Sequence, residues 1–107
     1  MKQITHLTIV HRRYDSRIFY KQCTSLAKNE DYSINLVVSD CNGDEIKNNV
    51  HIYDIGIQYK SRLRRIFHGR QKILQKAINL NSDIYHIHDP ELIPVGLKLK
   101  KLGKKII

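Results

Sequence analysis

The feature that most constrains this chain is a repeated switch of hydrophobic period. Short apolar or alternating runs of strand length, at residues 3–10, 33–39, 50–55, 84–88 and 104–107, are separated by longer segments carrying a helical stripe. Over 16–29, Ile18, Phe19, Cys23, Leu26 and Ala27 share one side, with Arg17, Lys21 and Lys28 opposite. Over 62–80, Leu63, Ile66, Phe67, Ile73, Leu74, Ala77 and Ile78 share an arc, faced by Arg62, Arg65, Lys72 and Lys76. From 91 to 102 the apolar residues run nearly all round, Pro94 is tolerated in the first turn, and Gly103 supplies a stop. Strands without polar alternation need cover on both faces. The expected fold class is therefore α/β, a three-layer, mostly parallel sheet with helices on both faces and right-handed crossovers.

Two local features refine this expectation. Arg70 falls inside the apolar arc of the second helix, beside Gly69, which implies a break or register change there, or an arginine whose stem packs while its head reaches a partner. Of these the break is preferred. Residues 40–49 are turn chemistry throughout and are expected to form a loop.

A chain of 107 residues, 41% hydrophobic, has enough apolar material for one modest core, so residues 1–107 are expected to form a single domain. No apolar run approaches the roughly 18 residues of a membrane span, and Met1 leads directly into an alternating segment, so neither a span nor a leader is expected. Cys23 and Cys41 lack metal or redox spacing and read as reduced thiols of the cytoplasm. The formal charge of +9 is uneven: residues 55–82 hold no acid, yet carry Lys60, Arg62, Arg64, Arg65, Arg70, Lys72 and Lys76. Such a field suits an anionic partner, or else belongs to a solvated helix face.

Ligands of parallel sheets bind at the carboxyl ends of the strands, so the loops after Val10, Ser39 and His88 are the ones to inspect. The first, His11-Arg12-Arg13-Tyr14-Asp15-Ser16-Arg17, opens a helix and suits a phosphate or carboxylate, although it lacks the glycine pattern of a dinucleotide site and the lysine of a phosphate loop. Asp15 is best read as the helix cap. In Asp83–Leu97, His86 and His88 project to one face of their strand. His86 lies deeper and reads as structural. His88 can donate to a phosphate or hydroxyl or exchange a proton, and Asp89 either caps or meets a hydroxyl-rich ligand. No metal is expected, because third and fourth ligands are not obvious at a usable spacing.

The stretches 11–22, 34–40 and 83–97 together resemble the amino-terminal domain of group 1 (family 4) glycosyltransferases. That resemblance implies a Rossmann-like half of a GT-B fold, whose first domain holds the acceptor and whose second binds the nucleotide-sugar donor. It implies that His88 faces the cleft near the donor phosphate, that Asp89 shares its catalytic role and Glu91 continues the wall, and that His11, Asp15 and Arg17 line the substrate side. No cofactor and no required metal are implied. The family's Glu-x7-Glu donor motif is not found, so the chain is expected to be a truncated acceptor-side half, inactive alone.

The expected activity of the parent protein is retaining transfer of a sugar to a glycan or lipid-linked acceptor in cell-surface polysaccharide or glycolipid synthesis. The alternative is a non-catalytic basic module for an anionic membrane surface or a phosphate-bearing ligand, the membrane version using residues 60–76 at the inner face of the cell membrane. In that case charge alone would supply attraction, at about 1 kcal/mol per cation, since the apolar face is needed for packing. Nucleic acid is not expected, because no reader motif or aromatic platform accompanies the charge.

Overall fold

Six strands form one sheet in the computed structural model of the chain, which describes residues 2–107. They are β1 (Lys2–Leu7), β2 (Tyr32–Val38), β3 (Glu45–Lys47), β4 (Val50–Asp54), β5 (Ile84–Ile87) and β6 (Lys105–Ile106), in the order β3-β4-β2-β1-β5-β6. All pairings are parallel except β3 with β4. Strand order reverses beside β1: the chain moves outward through β2 and β4, then returns to place β5 on β1's other flank.

Three helices join these strands. Helix α1, residues 16–27, is π-helical over Ser16–Cys23 and α-helical over Thr24–Ala27. Its start is fixed by Asp15, whose carboxylate accepts hydrogen bonds from the backbone N–H groups of Arg17 and Ile18. Helix α2, residues 62–80, begins as α-helix at Arg62–Arg64, widens to π-helix over Arg65–Gly69 and continues as α-helix over Arg70–Leu80. Helix α3, residues 90–101, starts as a 3-10 turn at Pro90–Leu92 and runs as α-helix from Ile93 to Lys101.

Two apolar clusters sit on the two faces of the sheet. Ile18, Phe19 and Cys23 of α1 pack with Ile4, Ile34 and Leu36 on one face, while Ile73 and Ala77 of α2 and Val95 and Leu99 of α3 pack with Leu7 and Val37 on the other. Residues of β1 thus serve opposite layers, as the strand period requires. The α/β class, the mostly parallel sheet and its cover on both faces agree with the sequence expectation. Among the described residues, no helix is long and apolar enough to cross a membrane.

The π-helical turns of α2 explain Arg70. Each adds a residue to a turn and rotates the downstream side chains about the axis, so the apolar arc drawn at a constant 3.6 period does not hold. Ile73 and Ala77 are fully buried, whereas Leu63 and Phe67, assigned to the same arc, stand exposed at 66% and 67%. Arg70 also reaches a partner, its Nε donating to the Glu91 carbonyl at 2.8 Å. Both options drawn from the sequence therefore occur together. Gly69 is closely packed, since a Cβ there would force the Ile9 Cδ1 methyl to move aside.

The expected loop at 40–49 contains a strand instead. Glu45–Lys47 pairs antiparallel with β4 through Asn48 and Asn49, both at positive φ (52° and 64°), the two-residue turn that joins tightly twisted strands. Strand β3 is too short and polar to show a period. It is held by Arg13, which is 7% exposed and donates to Asp40, Glu45 and the Gly43 carbonyl.

Candidate functional site

The reversal of strand order leaves a crevice at the carboxyl ends of β1 and β5, the place where open parallel sheets take ligands. Both loops there are tied together by Asp89. Its side chain is buried, and its carboxylate accepts from the Thr8 hydroxyl at 3.0 Å, the Ile9 N–H at 2.6 Å and the Val10 N–H at 3.1 Å. His11 Nδ1 completes the shell at 2.7 Å from Asp89 Oδ1. These bonds end β1 at Leu7 and fold 8–10 into a turn, although the apolar pattern carries that strand to Val10.

Asp89 is thus a positioning residue. In this geometry its lone pairs are occupied inward and it is 1% exposed, so neither a cap bond nor a ligand-facing carboxylate is what the structure places there. It also fixes the neighbouring imidazole: a carboxylate can only accept, so His11 Nδ1 carries the proton and its Nε2 lone pair faces away from Asp89. His11 keeps 28% side-chain exposure, so that nitrogen is open to a hydrogen bond from a ligand.

Glu91 is also engaged elsewhere. Instead of continuing the cleft wall beside His88, its carboxylate pairs with Arg65, with Nη2 at 3.1 Å and Nε at 3.2 Å, and its backbone carbonyl receives Arg70. It anchors α2 to the start of α3. Asp15 remains the cap described above. Arg17, in the first turn of α1, is exposed and near enough to His86 and His88 for its positive charge to oppose their protonation.

His86 and His88 do share a face, with ring centroids 4.1 Å apart and planes nearly parallel. Their third neighbour is not legible in the sequence. His6 of β1 lies opposite His86 in the strand register, stacks on His88 with centroids 5.0 Å apart, and places its Nδ1 2.8 Å from His88 Nε2. The only signal in the sequence is His6 standing in an otherwise apolar-alternating strand, and nothing local says which strand will lie beside it. His86, expected to be a satisfied structural histidine, makes no side-chain hydrogen bond among the described residues and is held by stacking.

Burial drives the basicity of this trio down. The His6 pKa is pushed to about 3 and that of His88 to about 4, each first by desolvation and then by its histidine neighbours. The His86 pKa is lowered too, by desolvation and the charge of Arg17. At neutral pH the three rings are uncharged, so each offers one lone pair and one N–H. Nε2 of His6 is buried with no hydrogen-bond partner among the described residues.

Beside His88 a groove of about 640 Å3 runs between α3 and β6, with Ile87, Ile93, Gly96, Leu97 and Lys104 in its wall. The site as a whole therefore joins a polar crevice of imidazoles and an arginine to an apolar trough bordered by lysines. No protein-family model matches the chain, and no curated protein matches it.

Proposed function

We propose that this chain is the acceptor-side half of a retaining, nucleotide-sugar-dependent glycosyltransferase, with a Rossmann-like sheet as the first half of a GT-B architecture. The observation carrying this reading is the convergence of His11, Arg17 and His88 at the carboxyl ends of β1 and β5, where the strand order reverses. Arg17 supplies fixed positive charge for a leaving diphosphate, the neutral His88 donates a hydrogen bond to a phosphate or sugar oxygen, and His11 Nε2 accepts one from a hydroxyl. The neighbouring groove suits the apolar part of a lipid-linked acceptor. Asp89 and Glu91 act from behind, one setting the His11 tautomer and the other docking α2.

Incubated with a panel of nucleotide-sugars and lipid-linked acceptors, the chain alone is expected to transfer no sugar. In a nitrogen-15 NMR titration with a nucleoside diphosphate, shifts should concentrate at His11, Arg17 and His88 and saturate only weakly. Turnover by this polypeptide would sink the half-enzyme assignment; shifts absent from those residues would remove the site.

A second reading is favoured by two exposed apolar side chains in the first two turns of α2. Leu63 and Phe67 project beside Lys60, Arg62 and Arg64, so this segment offers both apolar contact and charge to an anionic membrane surface. The sequence argument that packing would consume that apolar face does not apply to these two positions. Sedimentation with vesicles should show binding only when anionic lipid is present, weakened by salt and by the double change Leu63→Ser and Phe67→Ser. Binding that ignores salt, or none, would dismiss it.

A further inference from the structure

We propose that His6, His86 and His88 form a binding site for a divalent transition-metal ion of the zinc type, independent of the glycosyltransferase reading. One ring nitrogen from each of the three lies within 4.8 Å of those of the other two. Two come from alternate positions along the β5 segment and the third from the register-matched position of β1, so a rigid parallel pair holds all three rings on one face. The spacing of alternate residues along a strand delivers two side chains to one side, and the adjacent strand supplies the third without any loop. Three imidazoles with an open fourth position are a donor set that suits zinc, copper or nickel and disfavours magnesium and calcium.

The present spacing must adjust in both directions, because the candidate nitrogens stand as far as 4.8 Å apart and the widest pair has to close while the nearest opens. Tetrahedral ligands about 2.0–2.1 Å from an ion stand roughly 3.3–3.4 Å apart, whereas His6 Nδ1 and His88 Nε2 are separated by 2.8 Å. His6 is locked in the core at 1% exposure, so the movement falls to His86 and His88, which are only partly buried. His88 lies just past the end of β5, where its backbone N–H still bonds the Leu7 carbonyl at 3.1 Å, and its ring can swing outward by that half ångström without breaking the sheet. Neither ring has competing hydrogen bonds to lose beyond the one His88 shares with His6. The open side meets the crevice near Arg17. An ion there would present its fourth position to water or to an anionic oxygen.

The untagged, metal-free chain titrated with cobalt(II) near neutral pH should develop visible d–d bands of a low-coordinate site, saturating at one equivalent. Zinc should displace the cobalt, and excess magnesium should not. His86→Gln and His88→Gln should each weaken binding roughly tenfold or more, the loss that already attends removal of an outer-shell partner. His51→Gln, on β4 and outside the trio, should leave it unchanged, and circular dichroism of each variant shows whether the fold persists. If His88→Gln unfolds, His86→Gln carries the comparison. Absence of stoichiometric cobalt binding, displacement by magnesium, or equal affinity in His51→Gln and His86→Gln would overturn the proposal.

Discussion

Replacing Asp89 by alanine is expected to destabilise the chain by about 2–3 kcal/mol, the cost of leaving donors in a buried hydrogen-bonded network without their acceptor. The side chain accepts from Thr8, His11 and two backbone N–H groups, so its loss strands a buried donor at Ile9 and a partly buried one at Val10. Asp89→Asn keeps the shape and one carbonyl oxygen, but its amide end points N–H groups at donors. It should recover only part of the loss. Chemical denaturation would read both as a fall in midpoint at constant slope. Backbone resonances of 8–11 should shift in both variants while those of β3 and β4 stay in place. A cost below about 1 kcal/mol, within the range of an ordinary surface substitution, would show that Asp89 does not organise the loop.

Stability is also expected to fall steeply as pH drops from 6.5 towards 4, before most carboxylates titrate. The sign comes from proton counts. Unfolded histidines bind a proton near 6.5, while folded His6 and His88 resist until about 3 and about 4. Over that window the unfolded state holds more protons, so acid favours it. The stability is fully present above 6.5 and lost progressively as pH falls towards the folded values. The loss is about 1.4 kcal/mol per pH unit for the buried His6, and less for His88, which is partly open and screened by solvent.

Asp15, Asp40 and Asp54 have lowered pKa values, through backbone bonds from Ile18 and Arg17 at Asp15, the Arg13 guanidinium at Asp40, and backbone N–H groups that outweigh burial at Asp54. Their contributions are present above the ordinary carboxylate range and are lost as pH falls through it, so the part of the histidine window above about pH 5 is free of them. Urea midpoints measured across that window, for the parent and for His88→Asn, would check this. The variant should show the shallower fall, and a midpoint independent of pH down to 5 would refute the neutral-trio description.

These two results concern residues that the sequence ranks very differently. Asp89 and His88 stand together in a conspicuous motif, yet one is buried and structural in its bonding and the other borders the crevice. Strand direction and the single turn after β5 decide that, and both depend on β1 lying alongside. His6 carries no sequence flag, because a polar residue in an alternating strand is ordinary until its neighbour is known. Arg13 is similar: in sequence it is one of several arginines in the 11–17 segment, but Asp40 and Glu45 arrive from 27 and 32 residues away to bury it.

What the sequence determined by itself is what local physics controls. The alternation of strand and helix periods, the Asp15 cap, the disturbance at Gly69 and the charge field of 55–82 arise from side-chain spacing, glycine freedom and missing carboxylates within a few residues. Only the tertiary structure decided which side chains share a site. Pairing β5 beside β1 joined His6 to His86 and His88, turned Asp89 inward onto residues 8–11, and drew Glu91 towards Arg65. The π-helical turns left Leu63 and Phe67 uncovered. Each of these rests on contacts across tens of residues, where hydrogen-bond satisfaction and burial are settled by strand order and helix register, and a linear pattern of residue types carries neither.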